Sequence, residues 1–452
     1  MYVWSPNRKM IASPRSFERL TRVLDDLVDE RVGIIRVVEE WPREAGGPEF
    51  FHYYAEACNT EGFTVQKNFG DTGGASANRN IALGKAIGEA VERYCSAIYD
   101  PDDFPLASYR EMTMPCIHPD QIVWYSSTQY QSPRFPYVPF TEQTPICWAP
   151  ALDPLTLETI FVPASLLYIP YRFQEERGES CIGQRISTGL ACHCSYQEAA
   201  LAAICEVIER DAITLTWQAC LSWPQISLES LSPANRDLVT RFEQAGNTVT
   251  LLYLAMDHRL PTILSIAQGL RDGAPALCFA ASTEMNPEHA VRKSLEELAH
   301  TRRLAQELIT YRPKFSPGLN FENVIGQDGH VHLYCHREFS YLAEFMLASQ
   351  TQITFQEIPH FFMNDPDADL PALLRRIQDV HHRILLADLT TPDIREMGLW
   401  VIKAVIPGFH PMFLGHRFRA LGGNRLWNLP QQLGFSGISS QTGDNPAPHP
   451  FP

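Results

Sequence analysis

Two hydrophobic periods divide the chain. Between 16 and 30, Leu20, Val23, Leu24 and Leu27 recur at i, i+3, i+4 and i+7 behind Ser16 in capping position, which predicts a helix. Gly33 to Val38 then reads as a strand. From Pro105 to Pro170, prolines interrupt short runs of aromatic and β-branched residues, so this stretch predicts irregular β structure with no long helix. Past Ser195 the pattern predicts helices over 196–217 and 233–244, strands over 248–255, 262–269 and 276–282, and a helix over 287–308 with Asn286 as N-cap and Pro287 at N1. A helix over 370–380 and strands over 383–389 and 399–406 complete the list. Helices and strands interleaved in this way predict a mixed α/β (α+β) fold, and no interior stretch reads as a clean linker. From Gly437 onward both periods vanish, and Asn445-Pro446-Ala447-Pro448-His449-Pro450-Phe451-Pro452 places proline at every second position, favouring polyproline II.

Composition narrows the classes of function. A chain of 452 residues with 45% apolar and 20% charged residues is that of a globular protein of two or three lobes. The formal charge of −15 leaves no overall basic surface for a nucleic acid. It also obliges any anionic nucleotide to be screened by Arg, Lys or a divalent cation. Leu399 to Leu414 is broken by Lys403 and Pro407 and is too short to span a bilayer. Met1 to Ala12 lacks an apolar run after Arg8 and Lys9, so the expectation is a cytoplasmic chain without membrane contact. The 11 cysteines include no Cys-x-x-Cys and read as reduced thiols; Cys192-His193-Cys194 is too compressed for half a zinc site.

One pattern occurs twice: Ile87-Gly88-Glu89-Ala90-Val91-Glu92-Arg93 and Ile204-Cys205-Glu206-Val207-Ile208-Glu209-Arg210. In a helix, i and i+3 share a face, so Glu89 with Glu92, and Glu206 with Glu209, each present two carboxylates side by side. A lone copy would ordinarily be a solvated helix edge with local ion pairs. Here Ala82, Leu83, Ala86, Ile87 and Val91 flank one pair and Ala199 to Ile204 the other, and paired carboxylates on apolar helices are costly unless a cation compensates them. Hard divalent cations such as Mg²⁺ suit this oxygen set. A di-iron site would need Glu-x-x-His, whereas the i+3 positions are Glu92 and Glu209. Gly84-Lys85 is followed by Ala86, so no Walker A loop is present there. Hydrolase elbows and His-Glu-x-x-His are missing too.

At this point the residues resemble a known family. Ser187-Thr188-Gly189-Leu190-Ala191, then Glu198-Ala199, then Glu206-Val207-Ile208-Glu209-Arg210-Asp211-Ala212 is similar to the YcaO signature S-x-G-x-A…E-A…E-x-x-E-R-D-A. Gly88 to Tyr94 resembles the family's earlier G-E-x-x-E-R element, and Lys293 to Arg302 its later helix; the likeness spans about residue 60 to Pro452. It implies a YcaO fold, several helices around mixed sheets forming a central non-Walker ATP site, with ATP and Mg²⁺ as cofactors. By position, Glu89, Glu206, Glu209 and Glu297 would hold Mg²⁺, while Glu92, Glu198, Arg210 and Lys293 would face the nucleotide. On spacing alone, Lys293 and Glu297 would be an ordinary i, i+4 ion pair. Gly74-Ala75-Ser76 stands where many relatives have Gly-Lys-Gly, Lys85 where Ser is frequent and Cys194 where Asn is frequent. The resemblance divides the chain into an N-terminal helix-strand segment, 1–60, a catalytic domain, 61–436, and a proline-rich tail, 437–452.

The same resemblance implies a reaction. The ending looks like the Pro-x-Pro-x-Pro terminus of azoline-forming members, in which the terminal carboxylate lies near the active site, so Pro452 joins Arg210 as a catalytic candidate. The implied activity is that of the cyclodehydratase subunit of a thiazole/oxazole peptide synthetase: Cys, Ser or Thr of a precursor peptide becomes an azoline as ATP yields ADP and phosphate. Implied partners are the precursor peptide, an E1-like or ThiF-like leader-binding protein and, where azoles form, a flavin dehydrogenase, with room for a homodimer inside the hetero-complex. The alternatives are thioamide or amidine formation on the same ATP site, or a catalytically silent scaffold.

Overall fold

The computed structural model of the chain describes residues 23–122, 124–439 and 441–452. Its first part gives β1 (Ile35–Trp41), β2 (Phe51–Ala57), β3 (Asp71–Ser76), α1 (Arg79–Cys95), β4 (Leu106–Ala107), β5 (Ile146–Leu152) and β6 (Thr159–Pro163). The middle gives β7 (Leu190–His193), α2 (Tyr196–Gln218), β8 (Gln225–Ile226), α3 (Pro233–Gln244), β9 (Asn247–Tyr253), β10 (Thr262–Gly269), β11 (Leu277–Thr283) and α4 (Pro287–Tyr311). The last part gives α5 (Gln327–Tyr334), β12 (Gln352–Ile353), α6 (Pro366–Asp379), β13 (Leu385–Asp388), β14 (Trp400–Val405) and α7 (Asn424–Gln432). Shorter helical turns lie between.

Among the described residues three sheets result: β1-β2-β3, β11-β10-β9-β8-β12, and β4-β5-β13-β14-β7 with β6 on β5. Parallel pairing of β12 with β8 makes the second sheet mixed, within an α+β architecture. Helix α2 is the centre of the molecule, packed on β7 and β14 of the third sheet and on β11 of the second. Its sequence explains this position: 15 of its 23 residues are buried, and a helix that is apolar nearly all round has to be covered nearly all round. Ser195 starts it, accepting from the Glu198 N–H. Helices α1 and α4 are amphipathic and cover β3 and β11, with Asn78 and Asn286 as their N-caps. Among the described residues no helix is long and apolar enough to cross a membrane.

Most expected elements are present within a few residues, and the departures have local causes. The helix expected over 16–30 stops at 27 among the described residues, while its first half lies outside them. The Asp29 carboxylate takes the N–H groups of Arg31 and Val32, and Gly33 donates to the Asp29 carbonyl, which turns the chain toward β1. The helix expected from 370 begins four residues earlier, because Asp365 caps it and Pro366 occupies N1. Gly74-Ala75-Ser76 is the end of β3, and a Cβ at Gly74 would lie 2.5 Å from the Ala82 carbonyl of α1. The close approach of α1 to this strand therefore requires glycine there.

Asp211, two residues after Glu209, is fully buried and fastens α2 to α7. Arg425 donates through Nε and one terminal nitrogen to Asp211, at 2.8 and 2.9 Å, and through both terminal nitrogens to Asp257 at 2.8 Å. Breaking such a pair leaves an uncompensated buried charge. Arg425→Met is expected to lose roughly 3–5 kcal/mol in chemical denaturation, and a loss below about 1 kcal/mol, the range of exposed ion pairs, would show that Asp211 is not held in this way.

Candidate active site

Each repeated glutamate is fixed by a backbone amide from a strand or from the turn before one. On α1, Glu89 accepts from Gly73 N at 3.1 Å, at β3, and Glu92 accepts from Cys192 N at 2.7 Å, in β7. On α2, Glu206 accepts from Gly189 N and Glu209 from Thr283 N, both at 3.1 Å, at the turn into β7 and the end of β11. Gly189 holds φ +84°, and a Cβ there would stand 2.5 Å from the Ala404 carbonyl. Glycine thus lets the chain turn so that its N–H meets Glu206. Glu92, Glu206 and Glu209 keep a second oxygen outside these amide bonds.

Electrostatics tie the glutamates into one group. Burial, then the charges of Glu89 and Glu206, push Glu92 well above the usual carboxylate range, and Arg93 and the Cys192 amide offset only part of this. Burial, with a contribution from Glu206, pushes Glu209 up to about 7 against the pull of Arg210 and Lys293. Glu297 behaves oppositely: burial pushes it upward, but Lys85, His300 and Lys293 hold it down at about 2. The cluster therefore has an acidic side that is short of positive charge and a compensated side.

The cations are arranged around it. Lys293 pairs with Glu284 at 3.2 Å and Glu297 with Lys85 at 2.9 Å, so the i, i+4 pair suggested by spacing gives way to partners from β3–α1 and from the turn after β11. Lys85 also reaches Glu296 at 3.1 Å, and Glu296 accepts from Ser76 Oγ at 2.5 Å. Arg210 places one terminal nitrogen 2.8 Å from the Pro452 oxygen, while its buried Nε has no hydrogen-bond partner among the described residues and stands 3.9 Å from Glu209. Beside it a cavity of about 620 Å³ is lined by Arg210, Val207, Tyr125, Lys403, Phe409 and Phe413, among others. Glu198 stands apart, bonded to His193 Nδ1 at 3.0 Å and Ser195 Oγ at 2.8 Å, eight residues or about 12 Å along α2 from Glu206.

Comparison with known proteins gives this arrangement its family. The profile described as YcaO cyclodehydratase, ATP- and Mg²⁺-binding, matches residues 73–410, most of the chain and every one of the glutamates above. The chain belongs to the YcaO family. An uncharacterized protein of Methanothermobacter thermautotrophicus is 26% identical over 361 residues, covering 77% of this chain and 85% of that one. Among solved structures, a heterocyclase in complex with substrate and cofactor superposes with a TM-score of 0.77 at 20% identity, covering 96% of this chain but 57% of that one. YcaO from Methanopyrus kandleri, bound with AMPPCP and Mg²⁺, gives 0.63 at 16% identity, covering 89% and 93%. The YcaO chain spans little more than half of the heterocyclase.

ATP and Mg²⁺ are the cofactors of this family, and the residues here fit them. The donor set is all oxygen, and Glu92 and Glu209, raised chiefly by burial, are carboxylates that a neighbouring cation would stabilise in the charged form. Among the described residues no three such groups stand close enough to enclose an ion by themselves. Mg²⁺ commonly takes one or two carboxylates and completes its shell with substrate phosphates and water, so an open set of this kind suits it.

Two basic residues of this YcaO site escaped the sequence reading. Lys85 figured there only in excluding a Walker A loop and as a departure, yet its ammonium group sits between Glu296 and Glu297. Lys403 figured only as an interruption of an apolar run. It is buried in β14, donates to the carbonyls of Ile186 and Thr188 at 3.0 and 2.6 Å, and is brought down to about 8 by burial. A single lysine inside a strand otherwise buried was the available signal.

The tail is part of the core: Ala447, His449 and Phe451 are buried, and Phe451 meets Phe279 with ring centroids 6.1 Å apart. A flexible tail is therefore excluded for these residues. Burial holds His330, its neighbour on α5, down at about 4, and burial together with His330, Arg210 and His416 holds His449 well below its ordinary value. A histidine depressed on folding stabilises the folded state fully above the unfolded value near 6.5. That stabilisation is lost progressively as pH falls toward the folded value, about 1.4 kcal/mol per pH unit for each ring. Hydrogen exchange of the Ala447 and Phe451 amides is expected to accelerate between pH 7 and pH 5 relative to amides of β10, after correction for intrinsic rates. Uniform behaviour of tail and sheet would contradict it.

Proposed function

We propose that this YcaO protein is the ATP-dependent cyclodehydratase subunit of a peptide-modifying system, converting Cys, Ser or Thr of a precursor peptide into thiazoline or oxazoline. The observation that carries the reading is the 2.8 Å contact between Arg210, adjacent to the second glutamate pair, and the Pro452 oxygen. It joins the proline-rich tail to the carboxylate cluster. Glu89, Glu206, Glu209 and Glu297 would hold Mg²⁺ ions by one or two carboxylates each, with phosphate and water completing the shells, and so screen the phosphate oxygens against an acidic protein. Glu92, Glu198, Arg210 and Lys293 would face the nucleotide, and Arg210 also lines the cavity in which the acceptor segment of the peptide would lie.

In the reaction so assigned, a substrate thiol or hydroxyl attacks the preceding amide carbonyl and closes the ring. The oxyanion then takes the γ-phosphoryl group of ATP, releasing ADP. Loss of inorganic phosphate with the amide proton leaves the C=N bond. Phosphorylation turns an oxygen that leaves poorly as hydroxide into part of a good leaving group. The chain itself has mainly to position and to neutralise charge, as in other phosphoryl transfers. Pro452 would accept the proton shed during cyclisation, held in place by Arg210. The peptide, an E1-like or ThiF-like partner that captures its leader, and a flavin dehydrogenase where azoles form would be the partners.

The test is reconstitution with precursor peptide and partner protein. Mass spectrometry is expected to show the mass of one water lost per ring, with ADP and phosphate released much faster than by the chain alone. Release of AMP and pyrophosphate, or exchange of oxygen for sulfur without ring closure, would reject the assignment.

A further inference from the structure

We propose that His330 of α5, acting through His449, is a positioning residue that aims the Pro452 oxygen at Arg210. The inference rests on the reading above, in which Arg210 and Pro452 take part in the reaction. The two imidazoles stack with centroids 3.8 Å apart and planes 9° from parallel, and both are fully buried. Their hydrogen bonds fix both tautomers. His330 Nδ1 faces the His449 carbonyl at 2.7 Å and must donate, while its Nε2 accepts from Gly415 N at 3.0 Å. His449 Nε2 faces the Phe413 carbonyl at 2.7 Å and must donate, while its Nδ1 accepts from Phe451 N at 3.3 Å. Neither ring has a nitrogen left over.

The surroundings show why a proline tail needs such a residue. Pro446, Pro448, Pro450 and Pro452 have no N–H, so the segment offers carbonyls and few donors. Two helices supply the donors. From α2, Trp217 Nε1 donates to the Ala447 carbonyl and Arg210 to the Pro452 oxygen, each at 2.8 Å. From α5, Tyr334 donates to the Pro448 carbonyl and His330 to that of His449. Trp217 and Arg210 lie two turns apart on α2, so the tail runs antiparallel to that helix. His330 holds it three residues before Pro452, where an error in direction is carried straight to the end of a stiff segment.

The two ring nitrogens can be tested separately. Asn at 330 places an amide nitrogen near the position of Nδ1 and can still donate to the tail, whereas Gln reaches the position of Nε2 and keeps only the contact with Gly415. Ring formation by His330→Asn is expected within about threefold of wild type. For His330→Gln, kcat is expected to fall about tenfold or more with KM for ATP unchanged, in keeping with the cost of misplacing a reacting group. Hydrogen exchange of the Ala447 and Phe451 amides, measured without substrate, is expected to rise in His330→Gln and stay near wild type in His330→Asn. Equal losses in the two variants would reduce His330 to packing and overturn the proposal, as would wild-type exchange and turnover in both. If the wild-type protein forms no rings, the functional reading fails, and the exchange arm alone then decides whether His330 holds the tail.

Discussion

Glu206→Gln and Glu209→Gln are each expected to reduce ATP turnover by on the order of 10²-fold or more, the usual cost of removing a preorganised electrostatic contact. Melting temperatures should stay equal to wild type or rise. The two effects separate because glutamine keeps what the fold uses and loses what the nucleotide site uses. Its carbonyl oxygen can still accept from Gly189 N or Thr283 N, so neither amide is orphaned. Its lost charge removes the burial penalty, and the smaller repulsion from Glu206, that push Glu209 up to about 7. Phosphate release from Mg-ATP beside a thermal melt reads both quantities. Near-normal turnover in both variants would return these glutamates to the role of a polar helix edge, where such a change is worth under about 0.5 kcal/mol.

Blocking Pro452 with a short C-terminal tag is the second large effect: ring formation should fall by about 10²-fold, the cost of displacing a group aligned for reaction, with ATP affinity within about threefold of wild type. A tag turns the carboxylate that Arg210 contacts at 2.8 Å into a neutral amide. Deleting Pro448 to Pro452 is a poorer experiment, because Phe451 belongs to the core beside Phe279. Its loss resembles a large-to-small core substitution of about 3–5 kcal/mol, which would mix unfolding with loss of function. Equal ring yields from tagged and untagged protein would remove the tail from the reaction, and a parallel loss of ATP affinity would move it to the nucleotide site.

The parts of this site legible in the sequence are those with a periodic signature. Two Glu-x-x-Glu pairs on apolar helices expose a conflict that i, i+3 geometry turns into a cluster, and the caps Ser195 and Asn286 mark where two of its helices begin. Contacts between distant segments left no such mark. Lys85 reaches Glu297 across 212 residues and Arg210 reaches Pro452 across 242. Helices α5 and α7 were hidden for a different reason: each begins after a glycine with no side-chain cap bond, and α7 carries Pro430 inside it. They form because tertiary burial outweighs weak local preference. Alternation of proline in the tail was visible, but the same composition suits a disordered end, and it is the donors of α2 and α5 together with the burial of Ala447, His449 and Phe451 that order it.

The fate of the amide oxygen distinguishes phosphorylation of the peptide from every route in which ATP merely drives a conformational change. A precursor peptide carrying a heavy oxygen isotope at the backbone carbonyl preceding the modified residue would be incubated with this protein, its partner and Mg-ATP, and the phosphate analysed by mass spectrometry. One labelled phosphate per ring is expected, with the label absent from water; unlabelled phosphate beside a peptide that has lost its labelled oxygen would contradict the assignment.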